Sequence, residues 1–337
     1  MRLLLVAPEH GARARGNTTT VARWQRLVAA RGIAVRTIAP AAADDLPSTE
    51  AIDIVHAHHA VHSGPKAAEL AARLGKKLVV SVGGTDLNAP NQASRETADR
   101  VFATADLIVT AFPEQGREIE RRLRRSLPIA VVRRGIEPRP ILRELSSPPL
   151  VALMLGAVRP VKGHLRAIER AARLRALGLD LILEIVGPPA DPDYARLVRL
   201  RLETAPFAHW SGEVAPEAID GPIARAHLLW NDSDSEGGAN AILEAWVRGR
   251  PVAARAAPGN TELLRPAPPD AAFLFQDGAD GDTALLDWLR GRFGGDAATR
   301  VRAATATRDY ALTNHSEAAE SDDLVRAYRR VLAPGYL

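Results

Sequence analysis

The chain has 337 residues, with 44 basic against 40 acidic side chains, a formal charge of +4, and a composition of 46% hydrophobic and 25% charged residues. Such a length predicts about two domains of ~100–200 residues each, and the composition is that of an ordinary soluble globular protein. The best apolar runs, Leu3 to Val6 and Leu150 to Leu155, fall far short of the ~18–20 residues of a membrane span. The absence of cysteine excludes disulfides, thiolate nucleophiles, thiolate zinc sites and iron–sulfur clusters. Met1 to Pro8 reads as a first strand rather than a signal-peptide core, and the cytoplasm is the expected compartment. Arginines dominate the basic residues but are interleaved with acids along the chain and lack aromatic company, which argues against nucleic acid. Lys66, Lys76, Lys77 and Lys162 are the only lysines.

Strand-like apolar runs alternate with helical patterns from end to end. Leu3–Ala7 is followed by a helix near Thr18–Arg31, whose Val21, Trp24, Leu27 and Val28 recur at helical spacing. Strands follow at Ala34–Ile38, Ile52–His56, Leu78–Val82 and Leu107–Thr110, with helices near Pro65–Leu74, Arg95–Ala103 and Pro113–Leu123. Turn-formers cluster at Arg134 to Pro140 and again at Ser146 to Pro149, which marks a linker. The alternation then restarts, with strands at Val151–Leu155, Leu181–Val186, Leu228–Asn231, Pro251–Ala254 and Ala272–Phe275. Helices are expected near His164–Leu174, Tyr194–Thr204, Ala241–Arg248 and Ala284–Arg290, and a last one over Ser316–Leu332. This pattern predicts an α/β protein of two Rossmann-like domains facing across a cleft. Residues 1–145 form the first domain and 146–315 the second, with helix 316–333 packing back on the first. Ligands of such sheets sit beyond the C-terminal strand ends, so segments that follow strands are the candidate sites.

The densest such segment runs from Asn231 to Ala245, where a strand passes into a helix. Glu236 and Glu244 are separated by seven residues, and Gly237-Gly238 follows the first glutamate. Glycines let a ligand approach the backbone, and N–H groups opening a helix favour phosphate or polar hydroxyls. The two carboxylates project to roughly one side of the helix and can grip two parts of one extended polar ligand; a capped surface turn is the alternative. Gly156 to Gly163 follows the first strand of the second half and carries Arg159 and the isolated Lys162. Asp232-Ser233-Asp234 invites a metal reading, yet two carboxylates under-coordinate magnesium, and they are expected to be turn or cap residues, with no metal.

In the first half, the loop Pro8 to Thr20 holds Gly16, which allows close backbone approach, and Asn17 or Thr18 as a helix cap. His56, His58, His59 and His62 follow another strand, with no carboxylate or cysteine near enough in sequence to complete a zinc site. Ser81 to Leu87, with Thr85 and Asp86, also follows a strand, as does Ala257 to Leu264.

The Glu236-x7-Glu244 pair with its glycines resembles the retaining glycosyltransferases of the two-domain GT-B fold, and the resemblance extends over the whole chain. It implies that Glu236 contacts the donor sugar's hydroxyls and Glu244 the nucleotide ribose, with the Gly237 and Gly238 N–H groups and Asn240 lining the donor. It implies that Lys162 and Arg159 clamp the donor diphosphate and stabilise the leaving group. Ala157 stands where the family's usual arginine lies. It further implies that His58 lines the active site. Gly16-Asn17 with Arg23-Trp24, Ser81 to Leu87, Arg159 to Lys162, Glu236 to Asn240 and Ala257 to Leu264 together look like the selenosugar synthases of selenoneine biosynthesis, with Gly83 and the His58 to Ala60 region departing from that pattern. That likeness implies a UDP-sugar donor, UDP-GlcNAc or UDP-glucose, and no cofactor. Selenophosphate would be the acceptor, bound near Gly16, Asn17, Thr85 and Asp86. Front-face attack assisted by the leaving phosphate needs no side-chain nucleophile. Two other readings stand beside it. One is a lipid, polysaccharide or other small acceptor, suggested by the basic stretch Arg117 to Arg125, though Ile119 and Leu123 alone give little to insert into a bilayer. The other is a sugar-nucleotide binding protein without turnover, with an epimerase of the same fold as its neighbour.

Overall fold

The structure, a computed structural model, describes residues 1–8, 15–47, 51–88, 91–143, 145 and 148–333, without the side chains of residues 15–18. Its internal contacts divide the chain into one unit of Met1–Gly135 with Glu317–Leu337 and a second of Ile136–Ser316.

The first unit opens with β1 (Arg2–Val6), α1 (Arg15–Ala29) and β2 (Ala34–Ile38), then β3 (Ile54–His58), α2 (Gly64–Leu74) and β4 (Lys77–Ser81). α3 (Gln92–Thr104), β5 (Leu107–Thr110), α4 (Pro113–Leu123) and β6 (Ile129–Val131) follow. The six strands form one sheet in the order β2-β1-β3-β4-β5-β6, every neighbouring pair parallel. Alternation along β1 sorts its side chains: Leu4 and Val6 join the core over α2 and α3, while Leu3 and Leu5 join the core against α1. Both faces are buried, so the strands read as unbroken apolar runs, as parallel sheets require. β3 runs two residues later than its apolar pattern predicts, through His56 and His58. Both imidazoles are fully buried, so polar residues occupy core positions there.

The second unit repeats the scheme with β7 (Leu150–Leu155), α5 (His164–Ala176), β8 (Leu181–Val186), α6 (Pro192–Glu203) and β9 (Ala208–Trp210). α7 (Asp220–Arg225), β10 (Leu228–Asn231), α8 (Asn240–Trp246), β11 (Val252–Arg255), α9 (Asn260–Leu264), β12 (Ala272–Phe275), α10 (Ala279–Phe293) and α11 (Ala297–Asn314) complete it. Its parallel sheet is ordered β12-β11-β10-β7-β8-β9. The strand order therefore reverses between β7 and β10, and at that switch point two connections leave the sheet in opposite directions and open a crevice. The corresponding reversal in the first unit lies between β1 and β3.

α12 (Glu317–Leu332) returns to the first unit and packs on α1. Its Leu324, Val325, Ala327, Tyr328 and Val331 extend the core beneath that helix. The side chains of α1 and α12 recur at the 3.6-residue period, which explains why both helices were legible.

Candidate active site

At the switch point of the second unit, the turn after β7 and the turn after β10 bring Lys162 and Glu236 into contact. Lys162 Nζ donates to Glu236 Oε1 at 2.6 Å. The same carboxylate oxygen accepts from Ser233 Oγ at 2.6 Å and Asn231 Nδ2 at 3.1 Å. Asn231 is itself fixed, because its Oδ1 accepts from the Ser233 N–H and from Asn260 Nδ2. Two glycines permit the approach. Gly163 has φ +68°, and a Cβ there would lie 2.2 Å from the Asp232 carbonyl oxygen. Gly259 has φ +85°, and its Cβ would lie 2.0 Å from the Glu236 carbonyl oxygen. A larger residue at Gly163 would push the turns after β7 and β10 apart, and one at Gly259 would push the turn after β11 off Glu236.

Burial alone would raise the Glu236 carboxyl. The charge and hydrogen bond of Lys162, with those of Ser233 and Asn231, outweigh it and hold the group below the usual carboxylate range. Glu236 is thus a carboxylate with one oxygen heavily engaged. Lys162 keeps two further N–H groups, since an ammonium carries three donors. Arg159 is half-buried before the turn, and its enclosed Nε has no hydrogen-bond partner among the described residues.

Gly238, with φ +114°, leads toward α8; Asn240 is the first residue of that helix, and its enclosed Oδ1 has no partner among the described residues. Glu244 lies on α8, where Arg248 takes its Oε2 at 2.5 Å, and Arg248 also binds Asp220. Asp232 and Asp234 are engaged by arginines: Arg166 reaches both, Arg170 lies 3.9 Å from Asp232, and Arg255 holds Asp234 at 3.1 Å. Among the described residues no group of three or more His, Asp or Glu side chains is arranged to hold a metal ion.

Sequence reasoning passed over His164, the first residue of α5, which is enclosed beside Lys162. It also gave no role to Ser233 and Asn231, although with Lys162 they donate the hydrogen bonds that hold Glu236 ionised. A short polar residue three to five positions before a candidate carboxylate is a signal that could have found them, because such side chains bond to near neighbours.

The first unit arranges its candidates differently. The loop residues 9–14 lie outside the described residues. Gly16 and Asn17 fall in the opening turn of α1, their side chains outside the described set. His58 closes β3 at the switch point, but it has no exposure. Its Nδ1 is 2.9 Å from Ser81 Oγ, and the Trp24 ring packs edge-on at 5.3 Å. Burial, with the positive charge of Arg134 next, holds His58 well below the ordinary histidine range, so the ring is neutral. His56 stacks on Trp24 and meets the Tyr328 hydroxyl at 2.8 Å through Nδ1. Burial brings its pKa down to about 3. Beside them, Glu320 of α12 is fully buried and accepts from Arg23 Nε at 2.7 Å, Arg23 Nη2 at 3.1 Å and Trp24 Nε1 at 2.7 Å.

Asp86, expected near the acceptor, is also fully buried. Its carboxylate accepts from the backbone N–H groups of Ala60, Gly83, Gly84 and Leu87 and organises its own loop. Thr85 Oγ1 lies 2.9 Å from His59 Nε2. The backbone N–H groups of Val61 and His62 both point at His59 Nδ1, so that nitrogen is the acceptor and Nε2–H donates to Thr85. On α4, Arg117, Arg121 and Arg122 pair with Glu114, Glu118 and Asp99, which neutralises much of the basic stretch. No helix among the described residues is long and apolar enough to cross a membrane.

Residues 143–289, which hold Lys162, Glu236 and Glu244, match the family described as glycosyl transferases group 1. The matched segment is a little under half of the chain. A Xenopus tropicalis protein described as glycosyltransferase 1 domain-containing protein 1 is 32% identical over 113 residues, 34% of this chain and 33% of that protein. The chain thus spans about a third of the length of that curated relative. Sucrose-phosphate synthase from Thermosynechococcus elongatus superposes with a TM-score of 0.79 at 14% identity, over 98% of each chain. Anabaena HepE, solved in complex with UDP and glucose, superposes with a TM-score of 0.73 at 15% identity, over 98% of this chain and 99% of that one. The two six-stranded parallel sheets with their helices make the GT-B fold.

Proposed function

We propose that this enzyme transfers a sugar from UDP-glucose or UDP-GlcNAc to selenophosphate, with retention at the anomeric carbon, forming a carbon–selenium bond and releasing UDP. The observation that carries the reading is the Lys162–Glu236 pair, set at the switch point within the segment that matches glycosyl transferases group 1. Glu236 grips the hydroxyls of the sugar, and its engaged carboxylate stays ionised. Gly237, Gly238 and Asn240 line the donor, and Glu244 offers the ribose the oxygen that Arg248 does not take. As the anomeric C–O bond breaks, its electron pair passes to the β-phosphate, where Lys162 and Arg159 meet the growing charge. Selenium's lone pair forms the new bond from the same face. An anionic selenium nucleophile needs little general-base help. With Asp232 and Asp234 engaged by arginines, the leaving-group charge is met by cationic side chains rather than by a metal. HepE in complex with UDP and glucose supports the choice of donor; the motif likeness supports the acceptor.

The test incubates the enzyme with UDP-glucose or UDP-GlcNAc and selenophosphate in excess EDTA, following UDP release and the mass of the sugar product. A seleno-sugar formed in step with UDP is the expected result. Hydrolysed sugar alone, with transfer to a lipid or glycan carrier instead, replaces the acceptor. No UDP from any donor leaves a sugar-nucleotide binding protein.

A further inference from the structure

Beside the Lys162–Glu236 pair lies a small pocket lined by Lys162, His164, Trp230, Asn231, Asp232 and Ser233. It offers about 20 Å³ to the centres of water-sized groups, which is room for about one such group. Most of its polar walls are satisfied from within. Asn231 is engaged through both amide atoms, and Asp232 accepts from Arg166 and from Trp230 Nε1 at 3.3 Å. What is left is specific. Two N–H groups of Lys162 lie beyond the one given to Glu236, and Ser233 Oγ keeps lone pairs after donating its proton. His164 is 1% exposed, and its enclosed Nδ1 has no partner among the described residues. A buried polar atom left without a partner is destabilising, and a group that completes it relieves that cost.

The remaining capacity suits one kind of atom. An ammonium N–H needs an acceptor. Burial, with the charge of Lys162 next, brings the His164 pKa down to about 3. The ring is therefore neutral near pH 7, carrying one N–H and one bare nitrogen. A hydroxyl accepts from Lys162 and either donates to or accepts from Nδ1, whichever tautomer His164 holds. A phosphate oxygen only accepts, and it would leave a bare Nδ1 unpaired.

We infer that this pocket is a hydroxyl subsite for the donor sugar, with His164 as a specificity-determining residue that recognises one hydroxyl together with Lys162. The inference rests on the proposed use of a UDP-sugar. A resident water supplies the same chemistry, and the two sources give different outcomes. If the hydroxyl belongs to the sugar, its removal from the donor and the removal of His164 are coupled. If a water fills the pocket, no single donor hydroxyl is coupled to His164.

The experiment measures kcat/KM for UDP-glucose and for its 2-, 3-, 4- and 6-deoxy analogues with wild type, His164→Gln and His164→Phe, alongside the affinity of each protein for UDP. One deoxy donor should lose about 10–100-fold in wild type and less than about three-fold in His164→Phe, with UDP affinity held within about three-fold. Retention of part of the discrimination by His164→Gln, which keeps a neutral polar group, would sharpen the assignment. If the same deoxy penalties appear in wild type and in both variants, the subsite inference falls while donor use stands. If His164→Phe weakens UDP as much as the intact sugar nucleotide, the residue is structural and the inference also falls. If wild type releases no UDP from any of these donors, the proposed donor falls, and the inference with it.

Discussion

Both units place charged side chains where their strand order reverses, and they use them differently. In the first unit the carboxylates are spent on the protein itself. Glu320 is saturated by Arg23 and Trp24 and Asp86 by four backbone N–H groups, while His56 and His58 each keep a buried Nε2 that no described residue pairs. In the second unit, Lys162, Arg159 and His164 keep donors or acceptors that the described residues leave unused. Desolvating a polar group is costly unless it is paired. A cluster whose pairing is complete stabilises a fold, whereas one with unused capacity can recognise a ligand. A charged residue beyond a strand end is therefore informative about binding only once its own partners have been counted.

The largest effect that sharpens this contrast is expected at Glu320. Glu320→Ala leaves the Arg23 guanidinium buried without its carboxylate, and breaking such a pair costs about 3–5 kcal/mol. Urea unfolding should show that loss in the transition of the first unit. A change below about 1 kcal/mol would mean that Arg23 finds another partner, and the contrast between the units would weaken. In the second unit the comparable substitution should cost less stability, because Lys162 is partly exposed, and strike the reaction. Lys162→Ala removes one donor from a developing charge, which costs about 10²–10³-fold in kcat, while the donor KM changes only a few-fold because Arg159 and backbone groups remain. A large rise in KM with kcat unchanged would make Lys162 a ground-state binding group instead.

The smallest effect is a pH dependence. His56 and His164 each have a pKa pushed down to about 3, and His58 lies well below its ordinary value. Below about pH 6.5 the unfolded chain binds protons that these buried rings refuse, so stability falls as pH falls toward 3. The slope approaches about 1.4 kcal/mol per pH unit for each such histidine. The first unit holds two of them and the second one. Relative to the intrinsic exchange rate at each pH, amide exchange in β3 should therefore accelerate more than in β7 between pH 7 and pH 5. Equal acceleration, or the reverse order, would show that the histidines of the first unit become hydrated before they protonate.

Much of this architecture is legible in the sequence because parallel strands buried on both faces announce themselves as apolar runs. Ala34–Ile38, Leu107–Thr110, Leu181–Val186, Leu228–Asn231 and Ala272–Phe275 have the expected bounds. The misses have physical causes. α11 packs its inner face with Ala303, Ala304, Thr307 and Ala311, so it shows no stripe of large apolar residues to read. β6 and β9 have three residues each, too short for a pattern. The apolar pattern places β3 two residues too early because histidine rarely reads as core, and only tertiary partners on α1 and α12 make it so. In the second unit, the Glu236 and Glu244 pair is apparent from spacing and Lys162 from its isolation among arginines. The contact of Lys162 with Glu236 depends on turns from two separate strands, and no local pattern encodes that meeting. His58 and Asp86 show the converse: a residue type suited to chemistry, enclosed by neighbours that sequence does not reveal.

The return of α12 to the first unit has a consequence for how the chain is made. Residues 1–135 leave the ribosome first, yet the carboxylate that neutralises Arg23 sits at Glu320, behind all of residues 136–316. At ~5–20 residues per second, that interval lasts roughly ten to forty seconds. Throughout it the nascent first unit carries an uncompensated guanidinium and an open apolar groove on α1. α12 is therefore the piece that completes a core whose other parts are made well before it, and until it arrives the first unit offers chaperones an apolar groove.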